Sequence, residues 1–376
     1  MRLEVDRAKG TMIWDKTGKP YYDLISGIAV CNIGHRHPRV VEAIEQQLKR
    51  YMHVIPYGEF DQDIQNKLAE KLSELLPAGL DSCYFVNSGT EANEGALKLA
   101  KRYTGRSELI AFRGAYHGST HGSLSVSSNE EKKYRVRPLL PDVRFISHGE
   151  VEELSAITTT TAAVIIEPIQ GDAGVRIPSK EYLLALRKKC TETGTLLLFD
   201  EIQTGCGRTG KMWAMNHYDV QPDIVTLAKS LGAGMPIGAF VSSIEIMRSL
   251  SHEPALGHIT TFGGNPVCCA AAHANLDVLS STRIVEKVEE KGALFESLLV
   301  HSSIKEIRRV GLMMAVELDS PEAVNKLVDA CLERGVIAFY FLSTRNAFRL
   351  QPPLTISREE IISSCELMMD AFDSIS

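Results

Sequence analysis

The sequence predicts an α/β protein: a mostly parallel central sheet with helices on both faces, joined to a smaller α+β unit. Three observations carry this. Short uninterrupted apolar runs follow one another from Cys83 onward: CYFV, LIAF, AVIIEP, LLLFDE, IVTLAK and AFVSS. Amphipathic stretches such as EANEGALKLAKRY and KEYLLALRKKCTETG separate several of them, and buried strands alternating with helices make a parallel sheet covered on both faces. After Cys268-Cys269 the rhythm changes to long helical sequence and then two further strands.

The elements read in order as follows. TMIWDKTGKPYYDL is a hairpin whose alternating apolar residues flank the turn residues Asp15 to Pro20. HPRVVEAIEQQLKRY is a helix with Val40, Val41, Ile44 and Leu48 on one face. The six apolar runs are the buried strands, and Thr158 to Thr161 is a loop before one of them. NLDVLSSTRIVEKVEEKGALFESLLV is a long helical region, GLMMAVEL and AFRLQPPL are strands, and a helix ends the chain. The expected organisation is an N-terminal segment, 1–45, that joins the small domain; a large domain, 46–279; and a C-terminal small α+β domain, 280–376.

Composition narrows the function. The 376 residues are 44% hydrophobic and 23% charged, with a net charge of −6 and no block of like charge. Nucleic acid and anionic membrane are therefore poor partners. The start, MRLEVDRAKG, lacks the apolar core of a signal peptide, and no apolar stretch approaches the roughly 20 residues that cross a bilayer; a cytoplasmic enzyme is expected. Eight cysteines without Cys-x-x-Cys spacing argue for reduced thiols and against a disulfide framework or zinc site.

Ligands of such sheets bind at the carboxyl ends of the strands, which singles out Asn87, Glu167, Asp200, Glu201 and Lys229. Asn87-Ser88-Gly89-Thr90-Glu91 opens a helix, with Ser88 and Glu91 spaced as a capping box and Gly89 freeing the backbone. That helix start suits a phosphate, although an ordinary capped helix reads the same way. Asp200 and Glu201 end a run of four large apolar residues, so at least one carboxylate turns inward and needs a cationic partner. Histidine is not adjacent in sequence, His217 lying well downstream, and a buried salt bridge is the plainer alternative. Lys229 ends IVTLAK and is followed by Gly232, Gly234 and Gly238; desolvation there makes a neutral, nucleophilic amine available. In FRGAYHGSTHGSLS, Tyr116 is placed to stack on a planar ring. His117 and His121 have i,i+4 spacing, but glycines at 118 and 122 argue against a helix and so against a metal pair; no metal is expected. An aldehyde for a lysine, a ring nitrogen for a carboxylate and a phosphate for helix amides are joint requirements of pyridoxal 5′-phosphate.

Taken together, NSGTEANEGALKLA, EPIQGDAG, FDEIQTGCGRTG, the lysine segment and TTFGGNP resemble, in order and over essentially the whole chain, the class III (ornithine/acetylornithine-type) aminotransferases of fold type I. The resemblance implies that Lys229 condenses with the cofactor and shuttles protons, that Asp200 keeps the pyridine nitrogen protonated, and that Gln203 bonds the ring hydroxyl. It implies that Gly89 and Thr90 cradle the phosphate, that Tyr116 stacks on the ring, and that Thr261 reaches the phosphate of a neighbouring subunit in a homodimer with shared active sites. On the substrate side it implies Arg349 as the clamp for the carboxylate of 2-oxoglutarate or glutamate, with Glu167, Asp172, Ser119 and Tyr57 beside it. Asp172 stands where ornithine-type members carry the glutamate that shields that arginine. Ser119 stands where many members have an arginine for the donor's distant carboxylate; either another cation replaces it, with Arg135 and Arg137 as candidates, or the donor differs. The expected reaction moves the ω-amino group of N-acetylornithine or a related ornithine-type donor to 2-oxoglutarate. Other ω-amino donors (4-aminobutyrate, lysine) come second, and an aminomutase or lyase third, disfavoured by Arg349. A nicotinamide dehydrogenase lacks its G-x-G-x-x-G after the first strand.

Overall fold

The computed structural model describes residues 3–56 and 60–375. Strands β1 (Val5–Lys9), β2 (Met12–Asp15) and β3 (Pro20–Asp23) form an antiparallel meander. Seven strands then build the central sheet: β4 (Ser82–Val86), β5 (Glu108–Phe112), β6 (Val143–Ile146), β7 (Thr161–Ile166), β8 (Leu196–Asp200), β9 (Ile224–Leu227) and β10 (Gly238–Ser242). Their spatial order is β4-β10-β9-β8-β7-β5-β6. The pairings among β6, β5, β7, β8 and β9 are parallel, whereas β10 runs antiparallel to both β9 and β4. The C-terminal region adds β11 (Glu306–Val310), β12 (Met313–Glu317), β13 (Val336–Ile337), β14 (Phe339–Tyr340) and β15 (Ala347–Leu350). Of these, β11-β12-β15-β14 form one antiparallel sheet, and β13 pairs in parallel with β3, with Val336 opposite Tyr22.

Alternation along each central strand divides the core in two. Leu197 and Phe199 of β8 join Val164, Ile166 and Val225 in the larger apolar cluster, while Leu196 and Leu198 join Ala163, Ile165 and Ile224 in the other. Fully burying each large apolar side chain contributes about 1.5–3 kcal/mol, so the strand register is strongly specified. The helix Gly89–Thr104 lies directly on β10: a Cβ at Gly95 would stand 2.3 Å from Phe240 Cε1. This close approach places the helix start at the carboxyl edge of the sheet. The N-terminal segment, the middle of the chain and the C-terminal region meet at buried Arg208, which donates to Leu312 O (2.9 Å), Pro352 O (2.6 Å) and Ser26 Oγ (3.2 Å).

The predicted strands all form, and several details differ. Strands β1 and β6 have too few core-facing apolar residues to stand out in the sequence; β6 reads VRFI with only Ile146 buried. The helical region after Asn275 is broken: one helix is Pro266–Ser281, a 3₁₀ turn spans Val285–Lys287, and a second helix is Val288–Leu298. The expected boundary at 279/280 falls inside the first of these. Leu48, expected on the buried face of helix Pro38–Arg50, is 45% exposed. A short helix, His121–Val126, forms despite Gly122, starting four residues beyond His117, so the i,i+4 spacing does not align the two histidines on one helix.

Candidate active site

A cavity of about 470 Å³ opens at the carboxyl edge of the central sheet, a volume suited to a small molecule. It is lined by the segments that follow β4, β5, β7, β8 and β9, as the strand-end rule requires.

At its floor Asp200 ends β8. Its Oδ2 accepts hydrogen bonds from His117 Nδ1 (2.7 Å) and Asn93 Nδ2 (2.8 Å), and its Oδ1 from the Ile202 amide (3.0 Å). Asn93 is itself held: Nδ2 also donates to His117 O (2.7 Å), and Oδ1 accepts from Thr226 Oγ1 (2.8 Å). Sequence spacing gave no sign that His117 or Asn93 reaches Asp200, because the partners stand 83 and 107 residues away. The one signal was the need for a buried carboxylate to be satisfied. Glu201, next along the chain, accepts from Thr204 Oγ1 (2.6 Å) and from the amides of Ala214 (2.9 Å) and Met215 (2.7 Å). It therefore anchors a loop and does not line the cavity, and burial raises its pKa.

Lys229 follows β9 and lines the same cavity. Its backbone sits at φ +46°, a left-handed conformation unfavourable for a residue with a side chain and typical of functional sites. Desolvation lowers its pKa below that of a free lysine; Asp200 opposes that shift, Arg349 reinforces it, and Glu167 and Asp172 oppose it more weakly. A neutral amine is thus closer to hand than on the surface.

The helix Gly89–Thr104 presents its first residues to the cavity. Ser88 Oγ accepts from the Glu91 amide (3.3 Å), but Glu91 turns to the amide (2.7 Å) and Nδ2 (2.9 Å) of Asn87, so only half of the expected capping box forms. Thr90 Oγ1 lies 2.7 Å from Thr120 Oγ1 and 2.5 Å from Ser123 Oγ. Gly118, at φ +135°, passes so close that a Cβ there would stand 2.4 Å from Thr90 Oγ1.

On the opposite wall Glu167 accepts from the amides of Tyr116 (3.2 Å) and Gly171 (3.1 Å), and burial pushes its pKa up to about 7. Asp172 Oδ1 accepts from Arg349 Nη2 (3.1 Å) and the Leu342 amide (3.1 Å), and its Oδ2 from Ser343 Oγ (2.6 Å). Arg349, behind Asp172 and not itself among the lining residues, is 3% exposed, lies 4.4 Å from the centre of the Phe341 ring, and has a buried Nε without a hydrogen-bond partner among the described residues. Tyr116 Oη and Ser119 Oγ are 3.2 Å apart at the cavity wall. Gln203 lines the cavity and accepts from Gln351 Nε2 at 3.2 Å.

Other expected residues fall outside the lining or outside the described residues. Thr261 is exposed, beside exposed Phe262. Tyr57 lies outside the described residues. Arg135 and Arg137 do not line the cavity, which corrects their candidacy as substitutes for the missing arginine: Arg135 sits over the Tyr134 ring and Arg137 bonds Glu130 at 2.6 Å.

The residues present fit pyridoxal phosphate. A buried carboxylate for a ring nitrogen, an enclosed lysine for an aldehyde and a helix start for a phosphate converge on one cavity, where a Cβ on Gly89 would stand 2.9 Å from Ile202 Cδ1 and displace that side chain. The "Aminotransferase class-III" family matches residues 1–372. The chain is 40% identical to the acetylornithine aminotransferase of Methanocaldococcus jannaschii, covering 98% of this chain and 92% of that protein. It is 37% identical to the [LysW]-aminoadipate semialdehyde/glutamate semialdehyde transaminase of Sulfolobus acidocaldarius, covering 98% and 94%. Among solved structures, the ornithine aminotransferase of Toxoplasma gondii superposes with a TM-score of 0.92 at 32% identity, covering 100% of this chain and 91% of that one. With the cavity, the whole-chain family match and these relatives in agreement, this chain belongs to the class III aminotransferases and is a pyridoxal-phosphate-dependent enzyme of fold type I.

Proposed function

We propose that the enzyme moves the ω-amino group of N-acetylornithine or a related ornithine-type donor to 2-oxoglutarate, giving a semialdehyde and glutamate. The observation that carries this reading is the buried ion pair between Asp172, which lines the cavity, and Arg349 behind it. Covered by Asp172, the guanidinium does not compete for the donor; uncovered, its planar fork takes the carboxylate of an oxo acid. Acetylornithine- and ornithine-named relatives support the donor class.

Pyridoxal phosphate, when bound, carries the amino group between substrates and delocalises the electron pair left when the donor carbon loses its proton. In this reading Asp200, oriented by His117 and Asn93, holds a proton on the ring nitrogen. Lys229 Nζ takes the proton from the donor carbon that bears the amine, and returns one to the carbonyl-derived carbon of the acceptor. Gly89 and Thr90 hold the phosphate, Tyr116 covers the ring face, and Gln203 bonds the ring hydroxyl. Glu167 sets the Tyr116 and Gly171 backbones through their amides. Thr261 serves the site of a second copy, a role its exposure supports, so the working unit is a homodimer. The division into segments 1–45, 46–279 and 280–376, a cytoplasmic location and a place in arginine biosynthesis complete the reading; the β3–β13 pairing supports joining the N-terminal segment to the C-terminal region.

Half-reaction spectroscopy tests it. Amines are added singly to the cofactor-loaded enzyme without oxo acid, and loss of the aldehyde-form absorbance is followed. Rapid conversion by N-acetylornithine or ornithine supports the donor class; silence with both, and conversion by lysine or 4-aminobutyrate, replaces it.

A further inference from the structure

Asp172 sits on a tight loop whose base is closed and whose tip meets the C-terminal sheet. Gln170 and Arg176 exchange backbone hydrogen bonds of 3.0 Å, and the Gly174 and Val175 amides donate to Gly171 O at 3.2 and 3.3 Å. From the C-terminal region, Leu342, Ser343 and Arg349 bond the Asp172 carboxylate. Arg308 bonds the loop's backbone instead: its Nε donates to Gly174 O at 2.7 Å. Gly174 has φ +88°, and a Cβ there would stand 3.1 Å from both Arg308 Nη2 and Thr344 Cγ2, so glycine lets the guanidinium lie against the loop.

Sheet register explains why two arginines reach one loop. Arg308 of β11 stands opposite Ala315 of β12, and Ala315 stands opposite Arg349 of β15. Directly opposed residues project from the same face, so the two arginines share a cross-strand row and stand two strand spacings, roughly 10 Å, apart. Arg349 takes the side chain of Asp172, and Arg308 takes the carbonyl two residues further on. Arg308 also has carboxylates of its own. Its Nη1 donates to Glu317 at 2.6 Å and bonds Glu306, and Glu317 accepts in turn from Asn346 Nδ2 at 2.9 Å. These partners balance its charge and fix its planar fork, with Nε turned to the loop. Arg308 is not among the residues that line the active-site cavity.

We propose that Arg308 is a positioning residue for the exchange between amine and oxo acid: by fixing the 170–176 loop it holds Asp172 over Arg349, and so sets how strongly the guanidinium is withheld from an incoming carboxylate. This rests on the reading of Asp172 as the cover of Arg349.

A double-mutant cycle tests it, with the two half-reactions of the cofactor-loaded enzyme followed separately, 2-oxoglutarate in one and ornithine or N-acetylornithine in the other. Arg308→Gln should raise kcat/KM for 2-oxoglutarate relative to that for the amine about three- to tenfold, less than Asp172→Asn does, because Leu342 and Ser343 still hold the carboxylate. In the Asp172→Asn background the same change should move that ratio by less than about twofold, since the loop then carries no charge to place. Arg308→Lys keeps a cation for Glu306 and Glu317 without the guanidinium fork; it should show the same shift, and it serves in place of a glutamine variant that fails to fold. Equal losses in the two half-reactions, or a full additive shift in the double variant, would make Arg308 a brace between the sheet and the loop and overturn the inference. An unshifted ratio in the Arg308 variants beside a shifted Asp172→Asn also overturns it, and leaves the role of Asp172 standing. An unshifted ratio in Asp172→Asn itself overturns both.

Discussion

Replacing Asp172 by asparagine keeps its shape and removes its charge, which isolates what the carboxylate does for Arg349. In the native protein the two side chains are 4% and 8% exposed and meet at 3.1 Å. A hydrogen bond between charged partners contributes about 1.5–3 kcal/mol net, and breaking a buried ion pair costs about 3–5 kcal/mol. Asparagine can keep an acceptor oxygen toward the Leu342 amide and the guanidinium, so the loss belongs at the low end, about 2–3 kcal/mol of folding stability. The same charge no longer competes with an incoming oxo acid. Apparent affinity for 2-oxoglutarate should therefore rise roughly ten- to hundredfold, the equivalent of about 1.4–3 kcal/mol. Stopped-flow titration of the aminated enzyme with 2-oxoglutarate reads the affinity, and melting curves with and without the oxo acid read the stability. A variant that is less stable but binds 2-oxoglutarate no more tightly would make Asp172 a tether for the 342–343 loop and refute its role as a competitor.

Arg349→Ala should weaken the oxo-acid half-reaction far more than the amine half-reaction; equal losses of kcat/KM in the two would remove the clamp from the reading. Lys229→Ala should lose nearly all turnover and recover part of it with added methylamine, and a wild-type rate without added amine would mean that another group moves the proton. Glu167 has a folded pKa of about 7, above the ordinary 4.5, so the native state binds the extra proton and stability falls as pH rises from 4.5 through 7. Glu167→Gln should flatten that slope in denaturant midpoints at pH 5 and 8, and an unchanged slope would contradict the shift. His35 is shifted in the same direction: its bond to Asp23 (2.6 Å) raises it from 6.5 to about 10. That contribution is fully present below pH 6.5 and lost as pH rises toward 10, and Asp23→Asn should abolish it in the same unfolding series.

Much of the site is legible in the chain because strand ends announce themselves. Lys229 after IVTLA, Asp200 after LLLF and Ser88 before a helix are each local signals: apolar runs must be buried, and a polar residue at their end must meet something. Which of Asp200 and Glu201 faces the cavity is not local. Both are buried, at 4% and 1% exposure, and one lines the cavity while the other caps the Ala214 and Met215 amides.

The sequence by itself determined the fold class and the order of the strands along the chain, because hydrophobic periodicity acts over a few residues. Only the tertiary structure decided which distant groups become partners. Asn93 and His117 reach Asp200 across 107 and 83 positions. It also decided that Arg135 and Arg137 stay outside the cavity. Parallel strands gather their carboxyl ends at one edge whatever their separation in the chain, so the contacts there are set by sheet order and register, which no short window of sequence contains.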